Sequence, residues 1–550
     1  MIQLGSEDRK LTAAVDAPPD LVAAMREPRF YRHAPPEVEL RDTHTSWVFL
    51  AGELVYKVKK PVTFPFLDYG TPERRHQMCR EEVRLNRRLA PRVYLRVLGI
   101  AQTDDGYALV PEDDPGAIEY AVEMRGVEED RSLEALARRG AIEPEHVRAV
   151  AQLLARFHAE APVAPPERRT IEALTEPFDE NLDTLREAGE EVFGKAPLDA
   201  ADQFTHRFVA ARRDELEARA RTQVRECHGD LRAEHAIVPK DGQAYVYDCV
   251  EFSAALREID VSADLAFLVM DLARLGAEQR ASELVAAYRA AGGDPGDDPL
   301  IAFHASYRAW VRAKIACLRA GQLARGSPER AAQADEAREL FRLGRRFAWH
   351  ARLPLVLVVC GVSASGKTRL ARELSDLAGL DRISSDVVRK SLARLAPTER
   401  AEERHYSAEF TRRTYRELGE QAGRALERDA GAIVDATFHL RAERDAFRDG
   451  LGDRVAPVLF VECQAPRDVL LDRVRQRAPH PERVSDADAA IVQRQLAELE
   501  PLDEISEERR AVIATDVPLD RLTAEAELLV DARIWETQQR RTDQEAHRRS

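Results

Sequence analysis

The chain has 550 residues, 44% hydrophobic and 6% aromatic, with a formal net charge of −15. That length exceeds a single core and implies roughly three to four domain-sized units. The acidic balance argues against a protein that coats nucleic acid nonspecifically and disfavours long nucleic acid as a partner, while leaving a nucleic-acid end open.

Residues 1–40 are rich in proline and charge, with one amphipathic segment at Pro19–Arg26, and read as a lead-in helix and loop. The opening MIQLGSEDRK lacks the apolar core of a signal peptide, and no apolar run in the chain reaches membrane-spanning length. A cytoplasmic protein with no membrane partner is expected. The six cysteines, Cys79, Cys227, Cys249, Cys317, Cys360 and Cys463, form no CxxC pair and no metal-ligand spacing, so they are expected as buried free thiols. Only nine of the 82 basic residues are lysine, so a lysine such as Lys57 or Lys367 is a choice that needs a reason.

From Ser46 the pattern becomes a hairpin: Trp47–Leu50, a turn at Ala51-Gly52-Glu53, then Leu54–Val58, with Lys57 inside the second strand. A strand lysine ordinarily faces solvent. The next element changes that reading. The helix predicted from Pro72 to Ala90 carries Met78, Glu82, Leu85 and Leu89 on one stripe, and an acid on an apolar face requires a basic partner. Lys57 is the candidate, in the way that kinase-type small lobes pair a strand lysine with a helix glutamate to hold nucleotide phosphates.

Strands are predicted at Val93–Ile100, Tyr107–Val110 and Glu119–Met124, followed by a largely helical stretch over 132–222 in which Ser132 caps one helix, Glu143 opens another and Phe204–Ala220 forms a third. At Cys227-His-Gly-Asp-Leu231 the pattern breaks into a loop, and Ala244–Asp248 closes a short hairpin. Two acids so placed, Asp230 and Asp248, suit phosphoryl transfer, one receiving the proton of an acceptor hydroxyl and the other holding Mg²⁺. Asp260 and Asp264 open an apolar helix and read as capping and dipole partners.

The strongest signal lies further on. An apolar run, Leu355–Cys360, leads into Gly361-Val-Ser363-Ala364-Ser365-Gly366-Lys367-Thr368 and then a helical pattern, which fits GxxxxGK[ST] in its strand–loop–helix context. Such a loop converges backbone N–H groups on phosphate at a helix N-terminus. Lys367 reaches the β- and γ-phosphates, and Thr368 offers a hydroxyl to Mg²⁺. Nineteen residues after Lys367, Asp386 and Arg389 stand at i, i+3 where a strand gives way to a helix. Asp386 is placed to accept the proton of an attacking hydroxyl, and Arg389 to grip a phosphate or carboxylate of the acceptor. Gly431–Phe438 is a strand whose Asp435 occupies the position of a Walker B acid; no second acid follows, which disfavours a motor. After the strand Val458–Cys463 comes a helix bearing Arg473 and Arg477 at i, i+4, the pattern of a lid over a transferring phosphoryl.

Residues 40–345, on the strength of His228-Gly-Asp-Leu231 with Lys57, Glu82 and Asp248, resemble the aminoglycoside phosphotransferase and choline kinase family, a branch of the protein-kinase-like fold. The resemblance implies Lys57 as the phosphate-binding lysine, Glu82 as its helix partner, Asp230 as catalytic aspartate and Asp248 as metal ligand. It also implies an asparagine five residues after the catalytic aspartate, where this chain has His235, with Glu234 beside it as an alternative oxygen donor. Residues 351–530, with GVSASGKT, SSDVVRK, VDATF and RVRQR in order, resemble the P-loop kinases that include polynucleotide kinases, zeta-toxin-type kinases and gluconate kinases. Together these resemblances suggest the bacterial two-domain proteins that fuse the two.

The expected fold class is therefore α/β and α+β multidomain, a bilobal protein-kinase-like domain followed by a P-loop domain with a parallel sheet flanked by helices. The expected divisions are a lead-in at 1–40, a small lobe at 41–130, a helical large lobe at 131–345, a P-loop domain at 351–535 and a polar tail at 536–550. The expected function is an ATP- and Mg²⁺-dependent phosphotransferase acting on a hydroxyl of a small-molecule acceptor. The N-terminal domain is expected as a second kinase or a regulator. The rival is a nucleotide-sensing interaction protein without turnover, favoured for the N-terminal half by His235 and by the absence of a Gly-rich loop at Thr43–Ser46. Oligomeric state and the acceptor's identity stay open.

Overall fold

The computed structural model describes residues 19–549 apart from 65–66, 242, 397–398, 400, 455 and 478–488, with side chains at all of these except 19, 429, 477 and 536–549. The chain forms two compact units, one of residues 1–184 and 214–340 and the other of residues 185–213 and 341–550. Residues 185–213, expected with the helical large lobe, group instead with the P-loop unit, and the main division falls at Leu340/Phe341.

The first unit opens with helix α1 (Pro19–Met25) and strands β1 (Glu39–Asp42), β2 (Ser46–Ala51) and β3 (Leu54–Lys59). A short hairpin of β4 (Thr63–Phe64) and β5 (Leu67–Asp68) precedes α2 (Pro72–Asn86), and β6 (Tyr94–Thr103), β7 (Gly106–Val110) and β8 (Ala117–Arg125) follow. Six of these strands make an antiparallel sheet in the order β1-β2-β3-β8-β6-β7. The predicted hairpin is present, with Ala51 opposite Leu54, and β1 is an added edge strand across the expected boundary between lead-in and small lobe.

Strand parity decides which residues of β3 meet α2, because successive side chains point to opposite faces. Tyr56 and Val58 pack on the side of α1 with Leu21, Met25 and Phe49. Val55 packs on the other side with Cys79 and Val83 of α2, so Lys57 and Lys59, two and four positions on, face α2 as well. That is how two lysines come to be pointed into the molecule.

The helical part runs through α3 (Leu133–Arg138), α4 (Pro144–Glu160), α5 (Ile171–Phe193), α6 (Lys195–Ala211) and α7 (Arg213–Gln223). The stretch Phe204–Ala220, expected as one helix, is divided at Arg212 between α6 and α7. Then come β9 (Val224–Glu226), β10 (Ala236–Ile237), β11 (Tyr245–Val246), α8 (Ala254–Arg257), β12 (Glu258–Asp260), α9 (Val261–Arg274), α10 (Glu278–Ala290), α11 (Asp298–Gln322) and α12 (Pro328–His350). The expected caps are in place: the Ser132 side chain accepts from Ala135 N–H, and Glu143 is the residue before α4. Two small antiparallel ladders, β9 with β12 and β10 with β11, frame the His228-Gly-Asp loop.

In the second unit, strands alternate with helices: β13 (Leu355–Cys360), α13 (Lys367–Ala378), β14 (Arg382–Ser384), α14 (Ser385–Leu392), α15 (Ala408–Asp429), β15 (Gly431–Asp435), α16 (Arg441–Leu451), β16 (Val458–Gln464), α17 (Arg467–Arg477), α18 (Ala489–Glu498), β17 (Arg510–Ala514) and α19 (Leu519–Arg549). Such alternation produces a parallel sheet covered on both faces. The five strands are parallel, in the order β14-β15-β13-β16-β17, and every residue of central β13 is buried. The expected polar tail continues α19 as backbone helix to Arg549. Residues 185–213 pack onto α19: Phe208 meets Trp535 edge-on at 5.4 Å between ring centroids, and Phe204 lies under Arg352, itself paired bidentately at 2.7 Å with buried Asp531.

Candidate active sites

In the P-loop unit, the carboxyl ends of the parallel strands carry the candidate residues together. β13 delivers the loop Gly361–Gly366, β14 leads into Ser385 and Asp386, and β15 ends at Asp435, which pairs in register with Val359 and Ser384. The loop backbone is left-handed at Gly361 (φ 131°), Ala364 (φ 68°) and Gly366 (φ 94°). At Gly361 a Cβ would come within 2.5 Å of the Cys463 carbonyl oxygen, so the strand–loop junction admits only glycine. These three residues turn the chain from the end of β13 into the N-terminus of α13.

Thr368 donates its hydroxyl to Asp435 Oδ1 at 3.2 Å, and Arg382 pairs with Asp435 Oδ2 at 2.7 Å. Lys367 Nζ rests against the Val362 carbonyl at 3.4 Å. Asp386 is half-buried; enclosure raises its carboxyl above the ordinary range, opposed by Lys367 and reinforced by the negative charge of Asp435. A carboxylate so raised is a better proton acceptor. The buried Ser365 hydroxyl has no hydrogen-bond partner within the protein, which leaves it open to a bound group. Thr368 and Asp435 form an all-oxygen set of the kind Mg²⁺ requires. The residues present fit ATP and Mg²⁺.

Two expected residues are placed differently from the sequence reading. Arg389 lies near enough to Asp386 for its charge to oppose the rise of that carboxyl, but it is buried and donates to the His405 carbonyl at 2.8 Å and to Thr411 Oγ1 at 3.2 Å, with Tyr406 stacked on it at 4.8 Å. It thus braces the turn before α15. Arg473, expected as a lid cation, donates to the Ala364 carbonyl at 3.3 Å and to Thr515, at 3.1 Å to Oγ1 and 2.7 Å to the carbonyl. It ties the P-loop to the end of β17. Arg477 ends α17, and its side chain lies outside the described residues. Sequence reasoning missed Thr515, whose hydroxyl donates to the Ser365 carbonyl, and Gln495, whose Oε1 accepts from Ser363 N–H at 2.8 Å. Neither belongs to a motif.

In the first unit, Lys57 Nζ lies 2.8 Å from Glu82 Oε1 and 3.1 Å from Asp248 Oδ1. Burial alone would lower the Lys57 ammonium, but Asp248 and Glu82 together hold it well above its usual value. Glu82 also pairs with Lys59 at 2.7 Å through its other oxygen, and Lys59 in turn pairs with Glu251. Tyr69 donates to that same Glu251 at 2.6 Å. This second lysine was legible from parity alone, since it shares Lys57's face. The cluster ties the segment after Asp248 to β3 and α2, and Asp248 itself sits in a left-handed backbone (φ 64°) with its N–H on the Tyr94 hydroxyl at 3.2 Å.

The His228-Gly-Asp loop is anchored from below by Asp264. Its carboxylate accepts from His228 N–H at 3.0 Å and Gly229 N–H at 2.8 Å, and His158 Nε2 lies 3.1 Å from it. Asp260 does cap α9, accepting from Ser262 N–H, but Asp264 holds the loop that carries Asp230. Burial would raise the Asp264 carboxyl, and the His158 and His228 contacts bring it down to about 2. Burial would also raise Asp230 and Asp248. Arg232 and His235 beside the first, and Lys57 and His235 beside the second, hold both well below the usual carboxylate range. Arg232 pairs with Asp230 at 3.1 Å and with Glu234.

Among the described residues no helix is long and apolar enough to cross a membrane, and all six cysteines are free and buried. The chain thus joins a kinase-like unit, with its paired lysine, glutamate and two loop aspartates, to a P-loop unit. A family model described as an AAA domain matches residues 356–502, which places it on the P-loop unit. The uncharacterized protein Rv2004c of Mycobacterium tuberculosis is 31% identical over 472 residues, covering 84% of this chain and 90% of that protein. The chain belongs to the family of that mycobacterial protein. Among solved structures, a gluconokinase from Sinorhizobium meliloti is 23% identical and covers 34% of this chain and 96% of that one, at a TM-score of 0.25. A choline/ethanolamine kinase family protein from Mesorhizobium loti is 14% identical and covers 60% of this chain and 99% of that one, at a TM-score of 0.36.

Proposed function

We propose that this protein is an ATP-dependent phosphotransferase whose P-loop unit moves the γ-phosphoryl of ATP to a hydroxyl of a small acceptor. The observation that carries the reading is the meeting of Lys367, Thr368, Asp435 and a carboxyl of raised pKa, Asp386, at the carboxyl ends of the parallel strands. Loop N–H groups and Lys367 would hold the phosphates, and Thr368 with Asp435 would hold Mg²⁺, which supplies charge neutralisation when bound. Asp386 would take the proton of the acceptor hydroxyl as its oxygen bonds to phosphorus and the bond to the leaving diphosphate oxygen breaks.

The kinase-like unit is proposed as a second nucleotide site, with Lys57 on the phosphates, Asp248 as metal ligand and Asp230 facing an acceptor. A sensor without turnover is the alternative for this unit alone. It is favoured by Arg232, which already engages Asp230 and Glu234, and by His235 in the metal cleft.

Incubating the full chain with γ-labelled ATP and a panel of hydroxyl-bearing metabolites tests the proposal. Label should appear on at least one acceptor and vanish with Lys367→Ala. Release of labelled phosphate to water alone, with no labelled acceptor across the panel, would refute it.

A further inference from the structure

The cleft of the kinase-like unit departs from an all-oxygen donor set at one residue. His235 is buried, 4% exposed, and its Nδ1 lies 2.9 Å from the Asp230 carbonyl oxygen. A carbonyl only accepts, so Nδ1 carries a hydrogen, and in the neutral ring it is Nε2 that offers a lone pair. Arg232, which can only donate, approaches Nε2 at 3.3 Å, and Asp248 Oδ2 and Glu234 Oε1 stand 3.8 Å and 3.9 Å away. The Tyr247 ring meets the imidazole edge-on at 5.4 Å, which fixes its plane.

An imidazole held through one nitrogen by a backbone carbonyl, with the other nitrogen turned toward a carboxylate, is how proteins present histidine to metal ions. A gap of 3.8 Å between Nε2 and Asp248 Oδ2 can be bridged by one ion with bonds of about 2.1 Å. The donor set does not fit Mg²⁺, which is hard, takes oxygen and gives up water reluctantly. Nitrogen beside carboxylate suits Mn²⁺, Co²⁺ or Zn²⁺. The P-loop unit of the same chain offers the contrasting set, hydroxyl and carboxylate from Thr368 and Asp435.

We propose that the kinase-like unit binds a first-row transition dication through His235 Nε2 and Asp248 Oδ2 in preference to Mg²⁺. The assignment rests on reading this cleft as a nucleotide-phosphate site. The ion displaces the Arg232 guanidinium from Nε2 and leaves its pairing with Asp230 and Glu234 intact.

Mn²⁺ titrated into the full chain, followed by electron paramagnetic resonance with electron-spin-echo detection of nitrogen coupling, reads the ion directly. Bound Mn²⁺ should show imidazole nitrogen coupling and should resist competition by Mg²⁺ by roughly tenfold or more. In His235→Asn, folded as judged by circular dichroism and thermal unfolding, the coupling should disappear and the preference should move toward Mg²⁺. Asp248→Asn should lose this bound ion. Absence of nitrogen coupling in the wild type, or its persistence in His235→Asn, would overturn the proposal. Adding ATP to the Lys367→Ala chain separates the two claims. Tighter Mn²⁺ binding with ATP supports both, and coupled Mn²⁺ indifferent to ATP supports the ion site while removing the nucleotide reading of the cleft.

Discussion

The two candidate sites of this chain would meet one demand, holding polyphosphate beside a dication, by opposite means. The P-loop unit is shaped by its backbone: three left-handed residues turn the chain from β13 into α13. The kinase-like unit relies on buried side-chain charge, with Glu82 shared between two lysines, Glu251 on one and Asp248 on the other. In the first site a turn built from backbone conformation keeps its shape without depending on a network of paired buried charges. The second is an ion network in which each charge depends on its partners, because an unpaired buried charge costs several kcal/mol.

The contrast can be broken most forcefully at Glu82. Glu82→Ala leaves Lys57 and Lys59 without their shared carboxylate and should destabilise the chain by about 3–5 kcal/mol in denaturant unfolding. A loss under about 1 kcal/mol would mean that solvent or rearrangement compensates the lysines. Asp264→Asn comes next. It removes the charge that both loop N–H groups and His158 meet, and should cost roughly 2–3 kcal/mol.

The same residue predicts a pH response. Its carboxyl stands at about 2 in the folded protein against an ordinary 3.8, so its stabilisation is present above pH 3.8 and is lost as pH falls through about 2. The shift corresponds to roughly 2 kcal/mol. Acid unfolding of Asp264→Asn should therefore be flatter over that window than that of the wild type. A steeper acid transition in the variant would contradict the assignment.

Smaller effects are expected in the P-loop unit. Arg473→Ala releases the Ala364 carbonyl and Thr515 and should raise the KM for ATP by roughly tenfold with little change in kcat, since it loosens the loop without touching the reacting atoms. The acid limb of kcat/KM should lie above the ordinary carboxylate range, because Asp386 must be ionised to accept a proton and its carboxyl is raised by enclosure. Activity should thus rise with pH through that raised value, and Asp386→Asn should flatten the limb.

The fold and its sites were unequally legible in the sequence. The P-loop could be read because a buried strand, small residues, lysine, hydroxyl and helix are contiguous, so local chemistry decides them. Lys57 with Glu82 could be read because an acid on an apolar helix face demands a partner. Lys59, two positions along the strand, follows from the same argument. Asp264 looked like a helix-opening acid, and only tertiary structure brings the His228-Gly229 backbone to it. Thr515 and Gln495 stand far from the loop in sequence, on segments whose local pattern carries no phosphate signal. Arg389 was placed in the cleft by helical spacing, but spacing fixes a face and leaves the long side chain free to find the His405 carbonyl. The grouping of 185–213 with the P-loop unit follows from aromatic and ionic packing on α19, which no local pattern announces.

Calorimetric ATP binding and phosphoryl transfer, measured side by side on Asp386→Asn, test the central claim most directly. The substitution keeps size and removes the base while leaving Lys367, Thr368 and the loop N–H groups in place. ATP should bind to the P-loop unit as in the wild type, and transfer to the acceptor should fall by about 10²–10⁴-fold. Transfer by the Asp386→Asn chain at the wild-type rate would contradict the account.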